Sequence, residues 1–375
     1  LNWSLGTKKA NLLDPGDTPH DNMQFLAFCA AVIRAVDKHA TLLRASVAHA
    51  GNDHRLGANE APPAIISIFL GEQLTEVFEN LAKGTTGKAK APGVLTVGVD
   101  TLPPLPKDAG DRNRTSPFAF TGNKFEFRAV GSSQSVAGPL VILNTIIADS
   151  LDYVATELEA AKAKTTAALG AAVQKVIQKI MKDHGRIIFN GDGYTEAWQK
   201  EAAKRGLPNA RNTAEAIPAC QTAANDDVLA RFNVLSIREF HSRNEIYLEK
   251  YVKDVKIEGR LAFEIAKTMI FPAAVEYQMR LAEASLALKD LGQKHCTSVL
   301  DELCGLAADL QKRMEALRKI LAHDGNGDVA AHARYCREKI VPAMDAVRTV
   351  VDQLEFVVAD DLWPLPTYQE MLFIK

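Results

Sequence analysis

Three short segments in the first third of the chain combine arginine with acidic or small polar residues. They are residues 54–62 (HRLGANEAP), 111–116 (DRNRTS) and 124–128 (KFEFR). Arg55, Arg114 and Arg128 lie in these segments at expected loop or strand ends. Guanidinium groups donate paired hydrogen bonds to phosphate and carboxylate oxygens, so arginines that converge suit a polyanion such as a triphosphate. The three segments therefore predict a site for a phosphorylated or carboxylated ligand.

The last of these segments reads as a β-strand. Residues 118–121 and 125–128 flank Gly122 and Asn123, which predicts a hairpin. Alternation along the strand places Glu126 and Arg128 on one face and the neighbouring phenylalanines on the other. A carboxylate beside arginines suits a divalent cation that bridges phosphate oxygens, and the combination favours phosphoryl transfer from a nucleotide. An Arg–Glu pair on a strand is also typical of a surface ion pair, so residue types alone leave both interpretations open.

Composition excludes several classes of protein. The 375 residues contain 44 Lys+Arg and 46 Asp+Glu, a net charge of −2, which argues against a dedicated nucleic-acid binder. The five cysteines show no CxxC spacing and predict reduced thiols in a cytoplasmic protein. No uninterrupted apolar run approaches the 18 residues of a membrane span, so we expect no membrane partner. The chain begins at Leu1 rather than Met, and we expect it to be part of a longer polypeptide.

The elements that must position these residues change in character near residue 160. Before it, apolar segments alternate with loops, including a first helix after Pro19 capped by Asp21 and a buried strand over residues 64–70. After it, apolar residues recur at helical spacing, and Pro272 should break or kink the longest stretch. The predicted helices are 138–164, 166–184, 194–205, 226–290, 297–322 and 330–358. The last two should form an antiparallel hairpin whose turn is 324–328, a sequence that only partly resembles a calcium loop.

The charged segments, read in order, resemble the C-terminal part of the glutamine synthetases. RLGANEAP resembles the mobile-loop motif of that family, RNRTS its RNRS motif and KFEFR its basic–apolar–Glu–apolar–Arg strand. NWSLG at the start resembles the segment after the family's glycine-rich loop and metal-ligand histidine. The sequence between the motifs and the long helical part are similar to the large type III enzymes. This resemblance runs over nearly the whole chain, and four motifs in order are specific where one alone would be weak.

The resemblance implies a role for each charged residue. Glu60 would take a proton from ammonium and shield the γ-glutamyl phosphate, and Arg55 would hold the carboxylate of the glutamate substrate. Arg114 would face the phosphates of ATP and the transferred phosphoryl group. Glu126 would ligate Mg²⁺ or Mn²⁺, and Arg128 would contact glutamate or its phosphorylated form.

Some positions depart from the family pattern. Asn2 and Ser4 stand where the family uses a His and a Ser near ATP. Ala119 stands where the family has a further arginine, and Lys124 is the candidate to replace it at the ATP site. Residues 71–110 form an insertion relative to the short bacterial enzymes.

The resemblance also implies a fold and an activity. We expect an α+β protein in which 1–160 is the C-terminal portion of a catalytic domain, a curved antiparallel sheet with flanking helices, and 161–375 is a helical extension. The complete enzyme would ligate ammonia to L-glutamate with ATP, giving L-glutamine through γ-glutamyl phosphate. It would be a cytoplasmic homo-oligomer, by resemblance a dodecamer. Because further metal ligands should lie upstream of Leu1, we expect this chain alone to be inactive.

Two other functions stay open at this point. One is a related metal-dependent phosphotransferase or ligase, such as a guanidino kinase or a glutamate–cysteine ligase, which would not need the loop carboxylate Glu60. The other is a helical scaffold or interaction module formed by residues 161–375.

Overall fold

The computed structural model describes most of the chain as two compact units. The described residues are 1–58, 61–84, 115–294, 296–325 and 327–372, together with the backbone of two short strands at 94–95 and 105–106. The units are Leu1–Asn244 and Glu245–Lys375, and the division falls within the long helix Ile237–Ile265. The fold is mostly helical with a small mixed sheet. The assignment of 1–160 and 161–375 as catalytic portion and extension stays a prediction.

The first unit contains the sheet and a set of short and medium helices. Its strands are β1 (Asn2–Trp3), β2 (Ile68–Phe69), β3 (Val94–Leu95), β4 (Leu105–Pro106), β5 (Phe118–Phe120) and β6 (Phe125–Phe127). Its helices are α1 (Met23–Lys38), α2 (Ala40–Ala45), α3 (Ala50–Asp53), α4 (Glu72–Ala82), α5 (Ala137–Ala160), α6 (Thr166–His184), α7 (Glu196–Lys204), α8 (Thr213–Ala219) and α9 (Ala223–Arg231), followed by α10 (Ile237–Ile265).

The four-stranded sheet has the order β1-β6-β5-β2. The predicted hairpin is confirmed, because β5 and β6 pair antiparallel across a turn in which Gly122 has φ +92°. The expectation of a wholly antiparallel sheet is wrong, since β2 runs parallel to β5. A parallel neighbour requires a long crossover, and the connection from β2 to β5 includes α4.

The predicted strand at 64–70 is buried as expected but pairs only briefly. Ile65, Ile66 and Ile68 are each at most 2% exposed, yet only Ile68–Phe69 form a ladder with β5. Ile68 also forms a parallel bridge with Ile188, so a later segment extends the sheet beside β2.

The N-cap of helix α1 lies one residue later than predicted. Asn22, and not Asp21, is the N-cap: its side-chain oxygen accepts a hydrogen bond from the Phe25 amide at 3.0 Å. Phe25, Cys29, Val32 and Val36 of this helix are buried, whereas Phe28 is only half-buried.

One buried carboxylate joins α1, α5 and α9. The Asp149 side chain is 2% exposed and lies 2.9 Å from both Arg34 Nη1 and Lys38 Nζ. Arg231 also pairs with it, and His39 Nε2 lies at 3.4 Å. Burial alone would raise the pKa of Asp149, but hydrogen bonds with His39, Lys38 and its other partners hold that pKa below its ordinary value. Nothing in the sequence marks these residues as a cluster.

Among the described residues, α5 is the one helix that meets the length and hydropathy of a membrane span. Its mean hydropathy is high enough for a membrane span, although polar residues interrupt its apolar sequence. Leu143, Ile146 and Ile147 on this helix are buried, and Asp149 carries the ion pairs described above. These contacts make α5 a core helix of the first unit.

The second unit is a helical bundle. It contains the end of α10, then α11 (Phe271–Asp290), α12 (Ser298–Leu321), α13 (Val329–Tyr335), α14 (Val341–Val357) and α15 (Tyr368–Leu372). The predicted stripes of 297–322 and 330–358 pack together in its core, with Leu303, Leu310 and Leu317 of α12 beside Val347 and Leu354 of α14.

Two predicted helices are interrupted in specific ways. The stretch 226–290 is broken between α9 and α10, where Asn233 adopts φ +55°. Pro272 does not end its helix: the π-helical turn Ala266–Ile270 precedes it, and α11 continues. A second π-helical turn, Cys336–Ile340, precedes Pro342 in the same way. A wider turn accommodates a proline ring that would otherwise clash with the preceding turn.

The Asp149 cluster yields a stability prediction. Asp149→Asn should lower the free energy of unfolding by about 3–5 kcal/mol, because it leaves several cations without their buried partner. Asp152→Asn is the matched control on the same helix; Asp152 is 59% exposed and lies 3.6 Å from Arg231, so its loss should cost at most about 0.5 kcal/mol. Urea unfolding at pH 7 measures both, and equal midpoints for the two variants would contradict the role of Asp149.

The pH dependence follows from the lowered pKa of Asp149 in the folded state. Its stabilisation is fully present above the pKa of the unfolded chain, about 3.9, and is lost as the pH falls toward the lower folded value. The difference in stability between the wild type and Asp149→Asn should therefore persist from pH 7 to about pH 5 and shrink below about pH 4. Urea midpoints across this range measure it, with Asp152→Asn as the reference.

Candidate functional site

Glu126 and Arg128 form a forked ion pair on one face of β6. Oε2 of Glu126 accepts hydrogen bonds from Nε and Nη2 of Arg128 at 3.1 and 3.0 Å. The two side chains are 31% and 15% exposed, whereas Phe125 and Phe127 are fully buried. The predicted division of the strand into a charged and an aromatic face is confirmed.

Arg55 lies against the chain that leaves β6. Its Nη1 donates to the carbonyl oxygen of Val130 at 3.2 Å, and its Nη2 lies 3.4 Å from that of Arg128. The loop after α3 thus brings Arg55 next to the backbone of Arg128, and its convergence with the Glu126–Arg128 pair on one ligand stays a prediction. Two guanidinium groups and one carboxylate can together bind an anion and stay close to electrical balance.

Asn52 holds this arrangement together and was missed as a site residue. It is 2% exposed, and its Nδ2 donates to the carbonyl oxygens of Val47 and Ala129 at 2.8 and 2.9 Å. Its Oδ1 accepts from Arg55 Nη1 at 3.3 Å. In the sequence Asn52 resembles an ordinary loop asparagine; the one available signal is its spacing three residues before Arg55, which a helical turn brings together.

Asn2 and Ala119 flank Glu126 across the sheet. Asn2 pairs with Glu126 in the β1–β6 ladder, and Ala119 pairs with it in the β5–β6 ladder. Directly opposed residues share a face, so Asn2 lies beside the charged pair. Ala119 is buried and brings no charge to this row. Lys124 lies half-buried in the turn before β6, and its role as a replacement for the missing arginine stays a prediction.

Ser4 ties the start of the chain to the turn of the β5–β6 hairpin. Its Oγ donates to Asn11 Oδ1 at 2.7 Å and lies 3.1 Å from the carbonyl oxygen of Asn123, to which Asn11 Nδ2 also donates at 2.7 Å. These contacts stabilise the turn, and the predicted contact of Ser4 with ATP stays a prediction.

Glu60 and Arg114 lie outside the described residues, as does much of the predicted insertion 71–110. Within that insertion, α4 is described and begins directly after Gly71. The roles predicted for Glu60 and Arg114 therefore stay predictions.

Glu126 is one carboxylate, and a divalent cation of the predicted kind needs about six oxygen ligands. No group of three His, Cys, Asp or Glu side chains in the described ranges is arranged to hold a metal. The described residues thus do not by themselves form a metal centre, and no chemical step is assigned to a metal bound by them alone.

Comparison with known proteins identifies relatives of the chain. Residues 172–289 match the family described as the glutamine synthetase C-terminal domain. The chain is 43% identical over 388 residues to the type-3 glutamine synthetase of Dictyostelium discoideum, a match that covers 100% of this chain and 52% of the relative. The chain is a homologue of the type-3 glutamine synthetases. It is also 38% identical to the glutamine synthetase of Bacteroides fragilis and 37% identical to that of Butyrivibrio fibrisolvens, in each case over 53% of the relative.

The resemblance found from the motifs is thereby confirmed. This type-3 glutamine synthetase homologue spans about half the length of the curated relatives it matches. The family match begins in α6 and extends into α11, so it lies in the helical part of the chain and not on the strands that carry Glu126 and Arg128.

Asn52 gives a testable link between packing and the site. Asn52→Ala removes two buried donors and the acceptor for Arg55, and leaves two buried carbonyl groups unpaired. We expect a loss of about 1–3 kcal/mol in the free energy of unfolding. Asn123→Ala is the matched control, since that side chain is exposed and should change stability by less than about 0.5 kcal/mol. Urea unfolding measures both, and a loss for Asn52→Ala no larger than that of the control would contradict its anchoring role.

Proposed function

We propose that this chain forms part of the active site of a glutamine synthetase, which ligates ammonia to L-glutamate with ATP through γ-glutamyl phosphate. The observation that supports this most directly is the arrangement of Arg55, Glu126 and Arg128. These residues lie in segments that resemble the family's motifs and follow one another in the family's order. The relatives carry the name glutamine synthetase, and the chain spans about half of each.

Arg55 and Arg128 would bind the glutamate substrate and its phosphorylated form. Both guanidinium groups are partly buried and held in place, Arg128 by Glu126 and Arg55 by backbone carbonyl groups. Donors fixed before the substrate arrives lose little entropy when they bind a carboxylate or an acyl phosphate. Their orientation would place the γ-carboxylate for attack on ATP.

Glu126 would be one ligand of Mg²⁺ or Mn²⁺, with the remaining ligands outside the described residues. When bound, such a cation neutralises phosphate charge. Arg128 donates to Oε2 of Glu126 and would keep this carboxylate oriented. Asn2, which pairs with Glu126 in the β1–β6 ladder, would lie on the ATP side of the site with Ser4 and Lys124.

Glu60 and Arg114 would act on the reacting groups. A carboxylate at position 60 would attract ammonium and accept its proton, which leaves neutral ammonia to attack the acyl phosphate. Arg114 would stabilise the charge that develops on the transferred phosphoryl group. Exclusion of water by the segment that carries Glu60 would protect the acyl phosphate from hydrolysis.

The cellular setting is proposed on the same basis. We propose a cytoplasmic homo-oligomer, a dodecamer by resemblance, that uses ATP, L-glutamate and ammonia. The isolated 375-residue chain should make no glutamine, and the same chain joined to a segment corresponding to the other half of its relatives should make it.

The direct test replaces Glu60 in that complete polypeptide. Glu60→Gln removes the proton acceptor and should lower the rate of glutamine synthesis by about 10²–10⁴-fold. Glu276→Gln is the control, because Glu276 is 53% exposed and pairs with Arg280 on the surface of the helical bundle. Glutamine formed from glutamate, ATP and ammonium, quantified by chromatography, is the measurement.

The outcomes separate the candidate functions. Full synthesis by Glu60→Gln would contradict the role of this residue. Phosphorylation of another acceptor with no requirement for ammonium would favour the related phosphotransferase. An inactive complete polypeptide would leave the helical scaffold module as the better description.

A further inference from the structure

The segment 188–194 (IFNGDGY), here called the strap, runs along the edge of the sheet. Ile188 forms a parallel bridge with Ile68 of β2, and the Phe189 amide donates to the Ile68 carbonyl at 2.9 Å. Phe189 stacks on the buried Trp198 of α7 with ring centroids 3.7 Å apart. The first part of the strap is therefore fixed both to the sheet and to the helices.

Asn190 of the strap binds the end of β2. Its Oδ1 accepts hydrogen bonds from the amides of Leu70 and Gly71, both at 3.1 Å, and its Nδ2 donates to Thr75 Oγ1 at 2.8 Å. One side chain thus satisfies the backbone where the strand ends and joins it to α4. An asparagine with all these partners is a rigid connection.

The strap next contacts the residue that follows Arg114. The Gly193 amide donates to Thr115 Oγ1 at 3.0 Å, and Thr115 is 1% exposed. A Cβ atom on Gly193 would lie 2.7 Å from the Thr115 carbonyl oxygen and 3.3 Å from Pro63 Cγ. This approach of backbone to backbone is open only to glycine.

The adjacent strap residue contacts the residue that follows Glu60. The Tyr194 hydroxyl donates to the Ala61 carbonyl at 2.8 Å, and Ala61 is fully buried. The Tyr194 amide in turn donates to Asp192 Oδ1 at 2.9 Å, which stabilises the turn. Thr195 then caps α7 through the Trp198 amide at 3.2 Å.

We propose that the strap is a positioning element that sets the separation of Ala61 and Thr115, the residues that follow Glu60 and Arg114 in the chain. Gly193 and Tyr194 are neighbours in the chain, and they hold Thr115 and Ala61, each one residue beyond a proposed catalytic side chain. The proposal rests on the proposed function for the roles of Glu60 and Arg114. Gly193 and Tyr194 are positioning residues that act through the backbone of these segments.

The chemistry of the proposed reaction explains why the separation of these two segments matters. Ammonia and the acyl phosphate must meet at a separation of about 3 Å, and misplacement by 1 Å costs up to about 10²-fold in rate. Two segments joined to one short, stiff turn keep their separation, whereas two independently anchored loops do not.

The experiment compares Tyr194→Phe with Tyr335→Phe in the complete polypeptide. Tyr335 is a matched control because its hydroxyl donates to the Ile320 carbonyl at 3.1 Å, the same kind of bond in the other unit. Tyr194→Phe should lower kcat for glutamine synthesis about fivefold and raise the KM for ammonium, the size expected for one neutral hydrogen bond. It should also raise the ATP hydrolysed per glutamine formed, with the KM for glutamate within about twofold. Tyr335→Phe should change none of these quantities.

Hydrogen–deuterium exchange on the same proteins tests the contacts of the strap independently of catalysis. Tyr194→Phe should speed exchange in a peptide covering 61–66, and Gly193→Ala in one covering 115–120, while Tyr335→Phe affects only residues near 320. A wild type without synthetase activity would overturn the proposed function, and the exchange result would still test the positioning role of the strap. An active wild type whose Tyr194→Phe variant matches Tyr335→Phe in kinetics, with unchanged exchange over 61–66, would overturn the inference.

Discussion

The first unit depends on the charges carried by α1. Asp149 of α5 is buried among cations of α1 and α9, and Asp37 of α1 accepts from His184 Nδ1 and Arg186 Nε at 2.8 and 2.9 Å. A carboxylate buried with several partners cannot be displaced without leaving an uncompensated charge, so these pairs set the orientation of the helices. The opposite side of α1 contacts the sheet, with Phe25 and Phe120 ring centroids 5.7 Å apart. The strands therefore rest on a helix whose position the ion pairs determine.

That contact decides which face of the sheet can do chemistry. The phenylalanines of β5 and β6 stack with one another beneath α1, as in the pair Phe118–Phe125 at 5.1 Å. Strand alternation then directs Glu126 and Arg128 away from the aromatic layer. Ala119 brings no charge beside Glu126, so among the described strand residues the charge on this face is that of Glu126 and Arg128. The aromatic core and the polar site thus both follow from the alternation of side chains along β6.

Local patterns predicted the parts of this arrangement that local forces determine. Alternation was enough for the β6 faces and the Gly122 turn, and helical spacing placed α6 correctly at Thr166–His184. The choice of Asp21 over Asn22 as the cap failed because both side chains can accept the same backbone bond. Asp149 and Asn190 were not found, since their partners lie far away in sequence: Asp149 and Arg34, for example, are 115 residues apart. Asn52 was missed as well, because its bond to Ala129 spans 77 residues. No periodicity records such contacts, and an isolated polar residue in a sequence reads as solvated surface.

The strap bears on whether the helical part could be an independent module. If it were, the catalytic portion should satisfy its own sheet edge, yet the amides of Leu70 and Gly71 are bonded by Asn190, and Ile68 is bridged by Ile188. A chain cut at residue 160 would leave these buried groups unpaired, each at a cost of about 1–3 kcal/mol. It would also lose the contacts of Gly193 and Tyr194 beside the proposed catalytic segments. The contacts of 188–194 therefore favour helices of residues 161–244 that are part of the framework of the first unit over a scaffold appended to it.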